Sequence, residues 1–249
     1  MAIKTSLNYS PNFNPKIRKA KQIKFLIFHY TGMRTEKVAI KRLTDIKFQV
    51  SSHYLIKQTG EIISLVPDLY IAWHAGISKW KKQESLNKNS IGIEITNPGH
   101  SFGYKKFPKQ QISSLIKLTK FLITKYKINK KNILGHSDIA PDRKKDPGEK
   151  FPWQYLSKSN IGYWHKIDQK TQIKNRLVKI DDLQKNLFYK NIYKIGYSKK
   201  IPKNKKHKKN NYLIKITKAF QRRFRQDLIN GIIDQECLVI SKNLVEIQK

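Results

Sequence analysis

Asn132-Ile133-Leu134-Gly135-His136-Ser137-Asp138-Ile139-Ala140-Pro141-Asp142-Arg143-Lys144-Lys145-Asp146-Pro147-Gly148 is the stretch from which the fold is read. Asn132-Ile133-Leu134 predicts a short buried strand. Gly135 ends it, and the following loop is thrown out at the strand's C-terminal edge. That loop carries one histidine, three aspartates and three basic residues, pinned by two prolines and bracketed by two glycines. Loops hung on a rigid scaffold are where chemistry usually sits. His136 and Asp146 are ten residues apart, so one irregular loop can bring both onto one metal ion. The same composition also describes a solvated turn, and the rest of the chain has to decide between them.

Upstream, Phe25-Leu26-Ile27-Phe28 is a continuous apolar run, the pattern of a central strand buried on both faces. It ends in His29-Tyr30-Thr31-Gly32, which places His29 where a strand meets the edge of a sheet. Glu36–Ile46 reads as a short helix. Ser52–Ile56 and Glu61–Val66 read as two strands joined by a Thr59-Gly60 turn. In Ser90–Asn97 the alternation sets Ile91, Ile93 and Ile95 on one face and Gly92, Glu94 and Thr96 on the other. Pro108–Tyr126 predicts a helix, with Ile112, Leu115, Ile116, Leu122, Ile123 and Tyr126 forming one apolar stripe. The order strand, helix, hairpin, strand, helix, strand predicts an α/β fold, a mixed central β-sheet flanked by helices.

The chain's 249 residues suffice for one large domain or two unequal ones, with a core that needs no staples. A single cysteine, Cys237, excludes an internal disulfide and a thiolate metal cluster. The formal net charge of +35 predicts attraction to polyanions without choosing among nucleic acid, acidic membrane and acidic wall polymer. Lys, Asn and Ile are used heavily throughout, so the charge is also compatible with no dedicated partner. No apolar run approaches the ~20 residues of a membrane helix, and the first ten residues have no apolar h-region, which reads as the absence of a signal peptide.

Boundaries follow from composition. Residues 1–22 are polar and read as an extended N-terminal extension, residues 23–165 as the main α/β domain, 166–179 as a polar linker, and 180–249 as a small helical domain. Within the last, a helix starts at Asp181-Asp182, a basic loop spans Lys199–Asn211, a second helix covers Leu213–Phe224 and a third Gln235–Val245.

Two imidazoles and a carboxylate, His29, His136 and Asp146, make a recurrent open zinc set. Glu94 sits in mid-strand on a face of small and polar neighbours, where a carboxylate is costly to desolvate without a partner or a role. It is the best candidate for carrying a proton to a leaving amine. An anionic tetrahedral intermediate needs a positive donor, and Arg143, Lys144 and Lys145 are not separable by spacing. Trp73 and His74, in Ala72-Trp73-His74-Ala75-Gly76, suit a groove wall. No His-Glu-x-x-His helix, Gly-x-Ser-x-Gly elbow or phosphate loop is present.

Phe28-His29-Tyr30-Thr31, Ser52-His53-Tyr54-Leu55-Ile56, Ala72-Trp73-His74-Ala75-Gly76, Ile91-Gly92-Ile93-Glu94 and Gly135–Gly148 occur in an order that resembles the zinc-dependent N-acetylmuramoyl-L-alanine amidases of the AmpD/AmiD type, the amidase_2 family. The resemblance covers about residues 23 to 156. It implies one zinc ion held by His29, His136 and Asp146, Glu94 as acid/base, and Lys144 as the residue stabilising the transition state. Trp73, His74, Asn97 and Arg143 are expected as substrate contacts. The implied reaction is hydrolysis of the amide between the lactyl group of N-acetylmuramic acid and L-alanine, so peptidoglycan or muropeptides are the implied partner.

The C-terminal part is similar to the type 1 peptidoglycan-binding domain through Asp182-Leu183-Gln184, Lys218–Phe224 and Gly231–Asp234, from which the basic loop departs. The two-domain layout resembles the envelope branch of the family, and the missing signal sequence points to the cytoplasm instead. A monomer is expected. Two other classes compete with this one. A recognition protein that binds peptidoglycan without cutting it would have lost a zinc ligand, and none is lost. A specific nucleic-acid binder would interleave aromatics with its basic run, and Lys199–Asn211 holds none.

Overall fold

The computed structural model describes residues 3–199 and 206–248. Its strands are β1 (Ser6–Leu7), β2 (Phe13–Asn14), β3 (Phe25–Tyr30), β4 (Tyr54–Ile56), β5 (Ile62–Ser64), β6 (Ile71–Ala72), β7 (Lys79–Trp80), β8 (Gln83–Glu84), β9 (Ser90–Ile95) and β10 (Ile133–Gly135). Its α-helices are α1 (Glu36–Thr44), α2 (Lys109–Tyr126), α3 (His136–Ile139), α4 (Trp153–Lys158), α5 (Gln169–Asn175), α6 (Asp182–Ile195), α7 (Lys206–Phe224) and α8 (Gln235–Ile247). Six strands form one mixed sheet in the order β1-β5-β4-β9-β3-β10. The β4–β5 hairpin is antiparallel, and β4, β9, β3 and β10 run parallel.

Helices cover both faces of these parallel strands, which is why β3 is apolar without a break. Leu26, Phe28, Ile91, Ile93 and Ile95 face one side and pack with Ile112, Leu115, Leu118 and Leu122 of α2. Phe25, Ile27 and Leu134 face the other, packed with Phe188 and Ile192 of α6, Phe220 and Phe224 of α7, and Leu238 of α8. The C-terminal helices therefore share one continuous core with the sheet. The β3–β9 register sets His29 beside Glu94, so both side chains leave the sheet on this second face. They do so at the C-terminal ends of their strands, where that face opens into a cleft.

The sheet, its main helices and the hairpin match the sequence reading, with ends shifted by a residue or two. Three segments differ. In the N-terminal extension, β1 pairs with β5 and β2 with β6. Strands of two residues are too short to show a period, so the sequence could not announce them. Residues 166–179, expected as a linker, hold α5, capped by the Asp168 carboxylate accepting from Thr171 N–H. Arg176 then grips Glu236 of α8 with two hydrogen bonds of 2.9 Å. That attachment is polar and carries no apolar periodicity. In the basic loop, residues 200–205 lie outside the described residues, and α7 begins at Lys206, not Leu213. Among the described residues no helix is long and apolar enough to cross a membrane.

Candidate metal centre

Two neighbouring parallel strands and one loop converge here. His29 is near the end of β3. β10 pairs with β3 through Gly135↔Phe28, so His136, the next residue, starts α3 beside His29. The loop then returns, and the Ser137 N–H donates to the Asp146 backbone carbonyl at 2.8 Å, which fixes Asp146 against the start of the turn. His29, His136 and Asp146 are all buried, and their ligand atoms form one cluster. Nδ1 of His29 is 2.9 Å from Nδ1 of His136 and 3.1 Å from Asp146 Oδ2, and His136 Nδ1 is 3.0 Å from that oxygen.

Outward from the cluster, the remaining ring nitrogens have partners. His136 Nε2 is 3.1 Å from the Ala75 carbonyl, which can only accept, so that nitrogen carries the proton. In the neutral ring Nδ1 then offers a lone pair. His29 Nε2 is 3.0 Å from His74 Nδ1. Burial first, then the neighbouring His136, pushes the His29 imidazole down to about 4, so it is neutral at physiological pH. Two nitrogen lone pairs and a carboxylate oxygen, all acceptors, thus face one another at about 3 Å, an arrangement that repels itself unless a cation lies among them. Tetrahedral zinc with bonds of ~2.0 Å needs ligand atoms about 3.3 Å apart, and the observed edges of 2.9, 3.0 and 3.1 Å fall a little short of that separation.

Glu94 lines the same cleft, whose volume is about 400 Å³, together with Lys144, Trp73 and Tyr30. Its Oε2 is buried and has no hydrogen-bond partner. Burial first, then the charge of Asp146, pushes its carboxyl up to about 8, against a downward pull from Lys144. The sign of the consequence is fixed. A carboxyl raised from the ordinary 4.5 to about 8 in the fold stabilises the fold fully below pH 4.5, and that contribution is lost as pH rises through 8. In metal-stripped protein, Glu94→Gln is therefore expected to melt above wild type at pH 9, with the gap narrowing at pH 5. Equal melting temperatures at both pH values would contradict this placement of the carboxylate.

The other expected contacts separate. Trp73 is half-buried and lines the cleft. His74 has both ring nitrogens engaged, by His29 and by Ser90 Oγ at 3.2 Å, so it has none to offer a substrate. The Arg143 guanidinium donates to the carbonyls of Ala75 at 2.5 Å and Ile77 at 2.6 Å, bracing the loop that forms the opposite wall. Asn97 is buried and does not line this cleft. Its amide donates to Lys105 O at 2.9 Å and accepts from Gly99 N–H at 3.0 Å. Of the three loop aspartates, Asp142 is exposed and Asp138 is a buried hub. Asp138 accepts from Gly135 N–H at 2.8 Å, from Tyr197 Oη–H at 2.8 Å and from Arg223 Nη1 of α7.

The sequence reading missed one constellation on the rim. Tyr30 Oη is 2.9 Å from His100 Nδ1, and His100 Nε2 is 3.0 Å from Glu149 Oε2. Both Tyr30 and His100 line the cleft. Three residues from three separate segments leave no local spacing to read. The only signal was Tyr30 adjoining a ligand.

The family described as Amidase_2, N-acetylmuramoyl-L-alanine amidase, matches residues 19–149. The Escherichia coli (strain K12) N-acetylmuramoyl-L-alanine amidase AmiD is 36% identical over 237 residues, 90% of this chain and 83% of that protein. The 1,6-anhydro-N-acetylmuramyl-L-alanine amidase AmpD of the same organism is 44% identical over 105 residues, 42% of this chain and 55% of that one. Among solved structures, the complex of E. coli AmiD with the substrate anhydro-N-acetylmuramic acid-L-Ala-D-gamma-Glu-L-Lys superposes with a TM-score of 0.77 at 36% identity, covering 91% of this chain and 90% of that one. AmpDh3 from Pseudomonas aeruginosa in complex with anhydromuramic pentapeptide gives 0.77 at 30% identity, with 94% of each chain covered.

Proposed function

The chain belongs to the Amidase_2 family of N-acetylmuramoyl-L-alanine amidases, and we propose that it hydrolyses the amide joining N-acetylmuramic acid to L-alanine in peptidoglycan or its anhydro-muropeptide fragments, with zinc held by His29, His136 and Asp146. The observation that carries this reading is the convergence of three acceptor atoms within 3.1 Å beside a buried carboxyl oxygen that has no partner. The solved relatives carry anhydromuramyl peptides, which supports muropeptide fragments as substrate.

Zinc held by His29, His136 and Asp146 would supply Lewis-acid polarisation of the scissile carbonyl and an activated water. Glu94 takes a proton from the attacking water and delivers one to the amide nitrogen as its bond to the lactyl carbon breaks. The products are a free lactyl carboxylate and a peptide with a free L-alanine amine. The Lys144 ammonium supplies positive charge to the carbonyl oxygen as it becomes an oxyanion. Trp73 presents an aromatic wall, and Tyr30, oriented by His100 and Glu149, presents a phenol to the same space. Residues 180–249 are proposed as a peptidoglycan-binding-like unit that also roofs the sheet face behind the site.

The deciding experiment is a mass-spectrometric cleavage assay on purified muropeptides, with normal and 1,6-anhydro forms run side by side. Release of peptide beginning at L-alanine is expected, lost with a chelator and regained with zinc. No release from either form by protein that holds zinc would overturn the amidase reading. Release that survives stringent chelation would overturn the metal assignment alone.

A further inference from the structure

His29 meets the metal centre through Nδ1, and its other nitrogen leads into a chain of hydrogen bonds whose direction can be worked out from the far end. The Leu86 carbonyl can only accept, so the Ser90 hydroxyl, 2.6 Å away, donates its single proton to it. Ser90 Oγ is then left to accept from His74 Nε2–H at 3.2 Å. A neutral His74 has no second proton, so its Nδ1 accepts from His29 Nε2–H at 3.0 Å.

The site is built to hold this ring. His74 is 8% exposed and lies over β9 at Gly92, where an added Cβ would stand 2.3 Å from His74 Cγ. The backbone is pinned as well: Asn87 Oδ1 accepts from the N–H groups of His74 at 3.2 Å and Ala75 at 2.7 Å. One short segment thus serves both imidazoles, His29 through the His74 side chain and His136 through the Ala75 carbonyl.

We propose that His74 and Ser90 are positioning residues that lock His29 in the tautomer presenting an Nδ1 lone pair to the metal centre. Unbroken hydrogen bonding behind a ligating histidine typically raises metal affinity 10–100-fold. The proposal rests on the reading of His29, His136 and Asp146 as the metal set, and it assigns His74 a task other than touching substrate.

The test is zinc affinity of the full-length, metal-stripped protein, measured by competition with a chromogenic chelator and independent of turnover. Wild type is expected to bind one zinc ion and His29→Ala to lose it. Failure of wild type to bind would overturn the metal reading itself. His74→Leu fills the slot without an acceptor and is expected to bind about 10–100-fold more weakly. His74→Asn can place Oδ1 near the lost Nδ1, so affinity is expected to return to within about threefold of wild type. Ser90→Ala frees the tautomer of His74 and is expected to cost about threefold to tenfold alone, yet nothing further in the His74→Asn background, where no ring proton remains to be directed. Wild-type affinity in His74→Leu would overturn the proposal while leaving the metal set standing. Equal losses in His74→Leu and His74→Asn, or additive losses for Asn and Ser90→Ala, would also overturn it, since they would show a packing role. Should the Leu variant fail to fold, the Asn and Ser90 comparison decides alone.

Discussion

Glu94→Gln is expected to keep zinc at one per chain and to lose about 10²–10⁴-fold in kcat, the usual worth of a positioned acid/base. The β3–β9 register puts Glu94 directly beside His29. A shift of one residue would turn it into the isoleucine face that packs on α2. Its Oε2 is buried and unpartnered, in the cleft that also holds the metal set. Glutamine preserves size and hydrogen bonding but cannot carry a proton, so the loss should fall on kcat with little change in KM. Lys144→Met is expected to lose about 10²–10³-fold, the range for removing one oxyanion donor. The measurement is muropeptide turnover with metal content determined on the same sample. A Glu94→Gln enzyme that turns over near the wild-type rate with full zinc would remove Glu94 from the reaction.

The second large effect is on stability. Arg223→Met is expected to destabilise the fold by about 3–5 kcal/mol and to lower the melting midpoint on the order of 10 °C. Arg223 is 2% exposed and pairs with Asp138, which is 1% exposed, so its removal strands a buried carboxylate. The guanidinium also donates to the Ile133 carbonyl at 2.9 Å and stacks 3.9 Å from the centre of the Trp153 ring. Asp138 in turn caps the turn that begins at His136 by accepting from Gly135 N–H. Loss of the pair should therefore also weaken zinc binding, by about tenfold if the turn loosens. Thermal melts of Arg223→Met, Asp138→Asn and the double variant would show a double mutant less impaired than the sum of the singles. Additive losses would mean that the two side chains do not act as a pair. This contact joins α7 to the loop that carries His136 and Asp146, so a fragment ending before residue 180 is expected to bind zinc poorly.

The sequence by itself determined the scaffold and brought out the candidate residues that converge on the cleft. Period-two alternation in Ser90–Ile95, the unbroken apolar run of β3 and the helical stripe of α2 are local patterns that burial imposes directly. Strand ends then told where His29, Glu94 and His136 would emerge, because a strand's exit and the face of each residue are set by position alone. Composition likewise gave a loop rich in carboxylates and bases. Which member of that loop does what was decided only in three dimensions. Asp138, Asp142 and Asp146 are the same residue type within nine positions, yet one is a buried hub, one is exposed and one joins the metal set. Arg143, Lys144 and Lys145 all border the cleft, and Arg143 spends its guanidinium on backbone carbonyls. His74 lines the cleft, and its ring also turns inward to His29 because Gly92, eighteen residues on, leaves room beneath it. The C-terminal helices read as a separate module. They share the sheet's core because they pack on Phe25, Ile27 and Leu134, on the face opposite α2. Those assignments depend on distances between residues far apart in the chain, and hydrogen-bond direction and desolvation act across those distances with no trace in local spacing.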